Sequence, residues 1–186
     1  MNPEERVVYL TFDDGPQPDT TPVILDILRE EAVPASFFMV GANVARYPEL
    51  YEQILKEGHS VGSHTYNHVS GFKLSLSAYM DEVKRGHAIL QTQEHKLFRP
   101  PYGRMTLREK NTLLKQGYTI VLWDVMTHDW DKEYYADKIL NIVKRYTRNG
   151  SIINCHDSLK AKAQTVPALR PMIQWLKSEG YAFGKL

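Results

Sequence analysis

Short apolar runs alternate along the whole chain with segments whose apolar residues recur at three- and four-residue spacing. That alternation constrains the fold most, because strands joined by helical crossovers lie parallel in one sheet. Strand character falls on residues 7–12, 35–40, 60–63, 97–99, 119–124, 151–155 and 181–183, and helical spacing on 21–31, 47–57, 75–93, 106–116, 134–148 and 166–179. Four helices run into a glycine just before the next strand, in KEGHSVG, KQGYTIV, RNGSIIN and SEGYAFG, where a left-handed cap is expected. About seven strands with helical crossovers fit an open doubly wound sheet or an incomplete (β/α) barrel. Both put binding groups in the loops after the strand C-termini. At 186 residues, without linker, repeat or low-complexity segment, a single domain over residues 1–186 is expected.

Charge narrows the partners. The 23 basic and 22 acidic residues nearly cancel, and no basic block is present, so nothing electrostatic calls for nucleic acid or an anionic membrane and a neutral partner fits better. No apolar run is long enough to span a bilayer, and the opening MNPEERVVYL lacks the pattern of a signal peptide. As written, the chain is expected to be soluble and monomeric, and cytoplasmic if it is complete. Cys155 stands alone and forms no internal disulfide.

The loops carry the chemistry. In order they read DDGP, HTYNH, RPPYG, DVMTHDW and HD, after the first, third, fourth, fifth and sixth strands. Aspartate before Gly-Pro is ordinary turn chemistry. Asp13 and Asp14 are adjacent carboxylates, however, and their repulsion disappears if one binds a cation while the other takes a proton or pairs with a base. His64 and His68 are either exposed loop histidines or, if the residues between them turn helically, two imidazoles for one ion. One carboxylate and two imidazoles leave coordination positions open, as in a catalytic site. The same set suits ferrous iron in oxygenases, so ligand type alone leaves the reaction open.

Arg99 is a surface arginine before a rigid turn or a guanidinium that holds one carboxylate ionised, and Tyr102 beside it reads as packing. Asp129 and Trp130 read as a polar loop with an aromatic plug, or as a carboxylate orienting a histidine beside an apolar wall. Period-two alternation puts Ile152, Asn154 and His156 on one face and Ile153 and Cys155 on the other. With a carboxylate near, His156 becomes a candidate general acid. His59, His87, His95 and His128 read as structural or exposed.

Taken together, TFDDGP, HTYNH, RPPYG, DVMTHDW and the histidine after SIINC resemble the five motifs of the polysaccharide deacetylases, carbohydrate esterase family four, also called the NodB-homology domain. The resemblance runs from about Val7 to the end and includes ASFFMVG and GYAFGKL. It implies a distorted, incomplete (β/α) barrel and removal of acetyl groups from amino sugars of peptidoglycan or chitin, or from acetylated xylan. It also implies an extracellular or cell-wall setting. By motif position, Asp13 is the general base, and Asp14, His64 and His68 bind a divalent metal, zinc first, with cobalt, nickel or manganese as alternatives. Arg99 orients Asp13, Tyr102 contributes a backbone N–H to the oxyanion, Asp129 tunes His156, and His156 is the general acid.

Two positions depart from the motifs. Met126 stands where an aspartate is usual, and Asn154 where a leucine lines the pocket for the acetyl methyl. An unpaired amide buried at Asn154 would cost about 1 to 3 kcal/mol. Two expectations follow: a metal-dependent N-deacetylase, or a catalytically impaired glycan-binding or regulatory protein on the same fold.

Overall fold

Strand β1 (Val7–Asp13) sits at the centre of the sheet and pairs in parallel with β2 (Ser36–Met39) and β7 (Ile152–His156). The computed structural model describes residues 6–90 and 96–186. Beyond β2 lie β3 (Ser60–Ser63), β4 (Lys96–Phe98) and β5 (Tyr118–Ile120). Beyond β7 lies β6 (Val125–Met126), giving the order β5-β4-β3-β2-β1-β7-β6, while β8 (Ala182–Gly184) pairs with the first residues of β1. Every pairing is parallel, and β5 and β6 form the two edges without pairing to each other, so the sheet curls into an incomplete (β/α) barrel.

The run 119–124, expected as one strand, is divided between these edges. Val121 N–H still bonds Phe98 O (2.9 Å), whereas Asp124 N–H bonds Ile152 O (3.2 Å) and its carboxylate accepts from Ile152 N–H (2.8 Å). The chain changes partner strand between those residues, and apolar periodicity carries no sign of that.

The helices are α1 (Thr21–Glu30), α2 (Gly41–Arg46), α3 (Pro48–Lys56), α4 (Leu76–Ala88), α5 (Leu107–Lys115), α6 (Ala136–Tyr146) and α7 (Lys162–Ser178). In α1, Ile24, Leu25, Ile27 and Leu28 are buried, the stripe that seats an amphipathic helix on a sheet. Ser75 caps α4 through Ala78 N–H, and Thr106 with Glu109 forms a capping box on α5. Helix α2 escaped the periodicity because six residues are too few to show a stripe. Helix α7 begins one turn earlier than expected and continues through Pro167 and Pro171, held by the buried Leu169, Met172, Ile173 and Leu176. The expected end of the fourth helix, residues 91–93, and His95 lie outside the described residues. Gly58, Gly117, Gly150 and Gly180, the four glycines of the expected caps, all have φ between +79° and +83°.

The main core joins β1, β2 and β7 to the helices. Phe12 and Phe37 stack at 5.1 Å, and Leu10, Ile153 and Cys155 are buried among them. Each fully buried side chain of this size contributes about 1.5 to 3 kcal/mol. This packed layer fixes the C-terminal strand ends, from which the polar side chains emerge.

Candidate active site

Asp13 ends β1 opposite His156, which ends β7; His64 follows β3 and Arg99 follows β4. Around them a cavity of about 660 Å³ is lined by Asp13, Asp14, His64, His68, Tyr102, Met126, Trp130, Asn154 and His156, among others. One ligand atom from each of Asp14, His64 and His68 lies within 4.8 Å of the others. Asp14 Oδ1 is 3.1 Å from His68 Nε2 and 3.7 Å from His64 Nε2.

The donor chemistry fits a divalent cation. His64 Nδ1 lies 2.7 Å from Arg99 O, a carbonyl that can only accept, so Nδ1 carries the proton and Nε2 keeps its lone pair toward Asp14. Burial chiefly pushes the His64 pKa down, which keeps the ring neutral. Burial alone would raise the Asp14 pKa, but the His68 hydrogen bond and the His156 charge hold it well below the usual carboxylate range. An ionised carboxylate facing a neutral imidazole lone pair is a repulsive pair that a cation converts into a ligand set. Two nitrogens and one oxygen suit zinc and its neighbours in the transition series.

The loops get this geometry from strained backbone, without the helical turn between His64 and His68 on which the spacing argument is conditional. Residues 64–70 contain no helix, and Thr65 and His68 have φ of 65° and 54°. Asp14, Tyr102 and His128 are likewise left-handed, so among the described residues every positive-φ residue other than glycine except Ala32 lies on these loops. The Asp14 carbonyl accepts from Asn43 Nδ2 on α2 at 2.8 Å, and Val40 N–H bonds Gly15 O at 3.0 Å, which locks the DDGP loop to β2.

Arg99 is fully buried. Its Nη1 donates to Asp13 Oδ1 (2.7 Å), Thr11 Oγ1 (2.8 Å) and Asn154 Oδ1 (2.9 Å), while Nε and Nη2 reach the carbonyls of Val121 and Leu122 at 3.3 Å each. Asn154 is therefore not an unpaired amide. Its oxygen serves the guanidinium, and its Nδ2 faces Met126 Sδ at 3.9 Å. The two departures from the motifs touch each other.

His156 and Asp129 form a second unit. Asp129 accepts from the His156 ring Nδ1 and from the His156 backbone N–H, both at 2.7 Å, and from Thr165 Oγ1 at 2.5 Å. Burial works to lower the His156 pKa, but the Asp129 hydrogen bond and charge, with Asp13 and Asp14 beyond, outweigh it and push it up to about 9. Trp130 stands edge-on to the His156 ring at 5.0 Å. Tyr102 has φ 60°, and its N–H has no hydrogen-bond partner among the described residues. Its side chain is exposed and meets His68 edge-on at 4.9 Å. Cys155 faces the core, His59 accepts from Ala35 N–H, and neither reaches the cavity.

Several supporting residues lay outside the sequence reading. Thr165 on α7 and Asn43 on α2 carry no motif. Asp157 does, being the second letter of HD. Buried at 1 % exposure, it accepts from Thr21 Oγ1 (2.7 Å) and donates its N–H to Asp13 O (3.1 Å); burial chiefly pushes its carboxyl up to about 7. A Cβ at Gly15 would lie 1.9 Å from Asp157 Oδ2, which is why glycine follows the aspartate pair.

The fold and the donor geometry together define a class: incomplete (β/α) barrels whose strand ends gather an Asp-His-His set beside an arginine-held carboxylate. A family model described as polysaccharide deacetylase matches residues 1–121, and the chain belongs to that family. It is 37% identical over 183 residues to a peptidoglycan-N-acetylglucosamine deacetylase of Bacillus cereus, covering 96% of this chain and 85% of the relative. It is 36% identical to a chitooligosaccharide deacetylase of Bradyrhizobium, covering 95% and 87%. A crystal structure of a peptidoglycan N-acetylglucosamine deacetylase bound to 4-naphthalen-1-yl-N-oxidanyl-benzamide superposes with a TM-score of 0.94 at 35% identity, covering 98% of this chain and 87% of the other. A pseudoenzyme of the same family from Bacillus anthracis gives 0.88 at 28% identity, covering 100% and 65%. Among the described residues no helix is long and apolar enough to cross a membrane.

Proposed function

We propose that the chain is a metal-dependent hydrolase that removes acetyl groups from N-acetylated amino sugars of a glycan, with Asp14, His64 and His68 as the metal ligands and zinc as the first candidate. One observation carries the reading. The Asp-His-His set lies in one cavity with Asp13, which Arg99 holds by a 2.7 Å bond, and with His156, whose ring is fixed by Asp129. A divalent cation bound there supplies Lewis-acid polarisation of the acetamide carbonyl and makes water more acidic.

The chain's own residues do the rest. Asp13, anchored on one oxygen by Arg99, accepts the proton of the attacking water with the other. The Tyr102 N–H, held outward by the left-handed turn, donates to the carbonyl oxygen as negative charge builds on it; one such donor is worth about 3 to 4 kcal/mol in other acyl-transfer sites. The C–N bond breaks only if the nitrogen gains a proton. Asp129 holds the Nδ1 proton of His156, which leaves Nε2 to deliver that second proton to the amine. Trp130 walls this side of the cavity against water.

The departures at Met126 and Asn154 favour retained activity, because Asn154 joins the Arg99 clamp and does not leave a stray amide in the pocket. The test is acetate release from chitooligosaccharides and from peptidoglycan fragments, before and after chelation and after zinc is restored. Metal-dependent release is expected. Glycan binding without release under any metal would establish the impaired reading instead.

A further inference from the structure

The central cavity does not end at Tyr102. Arg104, two residues on, lines both it and an adjoining depression bounded by Ser70, Phe72, Lys73, Gly103 and Met105. Beside it the backbone that carries Phe72 is packed closely: a Cβ at Gly71 would lie 2.2 Å from the Glu109 carboxylate, which is committed to capping α5. Phe72 itself is 66% exposed, an apolar face with no core to cover. Arg104 and Lys73 are exposed, and neither has a carboxylate partner among the described residues. Within the central cavity Asp13 is paired with Arg99, and Asp14 lies 3.1 Å from His68 Nε2 within the proposed ligand set. Arg104 at the rim of the central cavity and Lys73 in the adjoining depression thus carry no ion pair of their own, although the buried Glu109 carboxylate lies behind Gly71 and the chain as a whole is close to neutral.

Resting on the deacetylase reading, we infer that the depression is a subsite for the sugar next to the acetamido sugar, and that it selects a sugar bearing a carboxylate. Phe72 offers a stacking face for the ring, and Arg104 and Lys73 pair with the acid. A neutral homopolymer uses the aromatic face alone, whereas a glycan with a lactyl-ether acid on every second sugar uses both.

The test is a matched pair of alternating tetrasaccharides, one with free lactyl carboxylates and one with the same groups converted to amides. The ratio of kcat/KM for acid over amide is expected to be about fivefold at low salt, the size expected for two exposed ion pairs. It should shrink toward one at about 0.5 M salt and in the doubly substituted Lys73→Gln, Arg104→Gln protein. Lys160→Gln, which removes a cation from the main cavity, should leave the ratio intact. Equal rates for the pair in the parent protein, a ratio that survives the double substitution, or one that Lys160→Gln abolishes equally would each overturn the subsite. If neither glycan releases acetate, the deacetylase reading fails, and calorimetric affinities for the same pair still decide whether acid is preferred.

Discussion

Asp129 meets His156 twice, accepting from the ring Nδ1 and from the backbone N–H of the same residue, both at 2.7 Å. The carboxylate therefore sets the ring's rotation and tautomer as well as its charge. The His156 pKa near 9 lies above the ordinary value of about 6.5 for an unfolded chain. The protonated ring thus adds stability that is complete below about pH 6.5 and is lost as pH rises through 9. In the metal-free protein, a histidine resonance titrating near 9 is expected by NMR. Asp129→Asn should move it down, and should move the alkaline limb of acetate release in the same direction. A cation on Asp14 offsets part of the negative charge, so the loaded protein should titrate lower than the metal-free one.

Asn154→Leu restores the residue usual in the family, yet the geometry predicts no gain in activity. The substitution removes one acceptor from a fully buried guanidinium, but Thr11 and Asp13 still take Nη1. Stability should fall by about 1 kcal/mol, read as a shift in the denaturation midpoint. A rise in kcat would show that the amide obstructs the acetyl pocket.

Metal binding should be visible without any turnover. Zinc at about one hundred times its dissociation constant should raise unfolding stability by about 2.7 kcal/mol, and His64→Ala should abolish most of that gain. His68→Ala should weaken it less, because the His68 side chain is 29% exposed and water can fill its place, whereas His64 is buried at 3%. Stabilisation of both variants as large as that of the parent protein would remove these histidines from the ligand set.

Gly103→Ala tests the Tyr102 turn. Gly103 has φ +64°, and a Cβ there would fall 2.7 Å from the Trp123 ring. The turn must shift, carrying the Tyr102 N–H with it, so kcat should drop about tenfold or more while KM changes little. Full activity would show that this N–H does not serve the oxyanion.

Much of this was legible in the sequence, for definite physical reasons. Alternating periodicity exposed the sheet, and residues that end strands fall at one rim, so Asp13, His64, Arg99 and His156 could be brought together before any coordinates. Alternation also assigned Asn154 and Cys155 to opposite faces. The pairing of Asn154 with Arg99 was not legible, because it depends on the third dimension of a curled sheet. Nor was the division of residues 119–124, where one apolar run changes partner strand. Thr165 and Asn43 hold Asp129 and the Asp14 carbonyl from helices remote in sequence, and single hydroxyls or amides leave no periodic trace.

The Arg99 guanidinium that grips Asp13 also reaches the Val121 and Leu122 carbonyls, the stretch that crosses the unpaired gap between the two edge strands. Breathing of that gap and misalignment of the base are then a single event. On warming, catalytic output should decline while the helical signal is still intact, and the margin between the two temperatures measures how tightly one side chain fastens the seam.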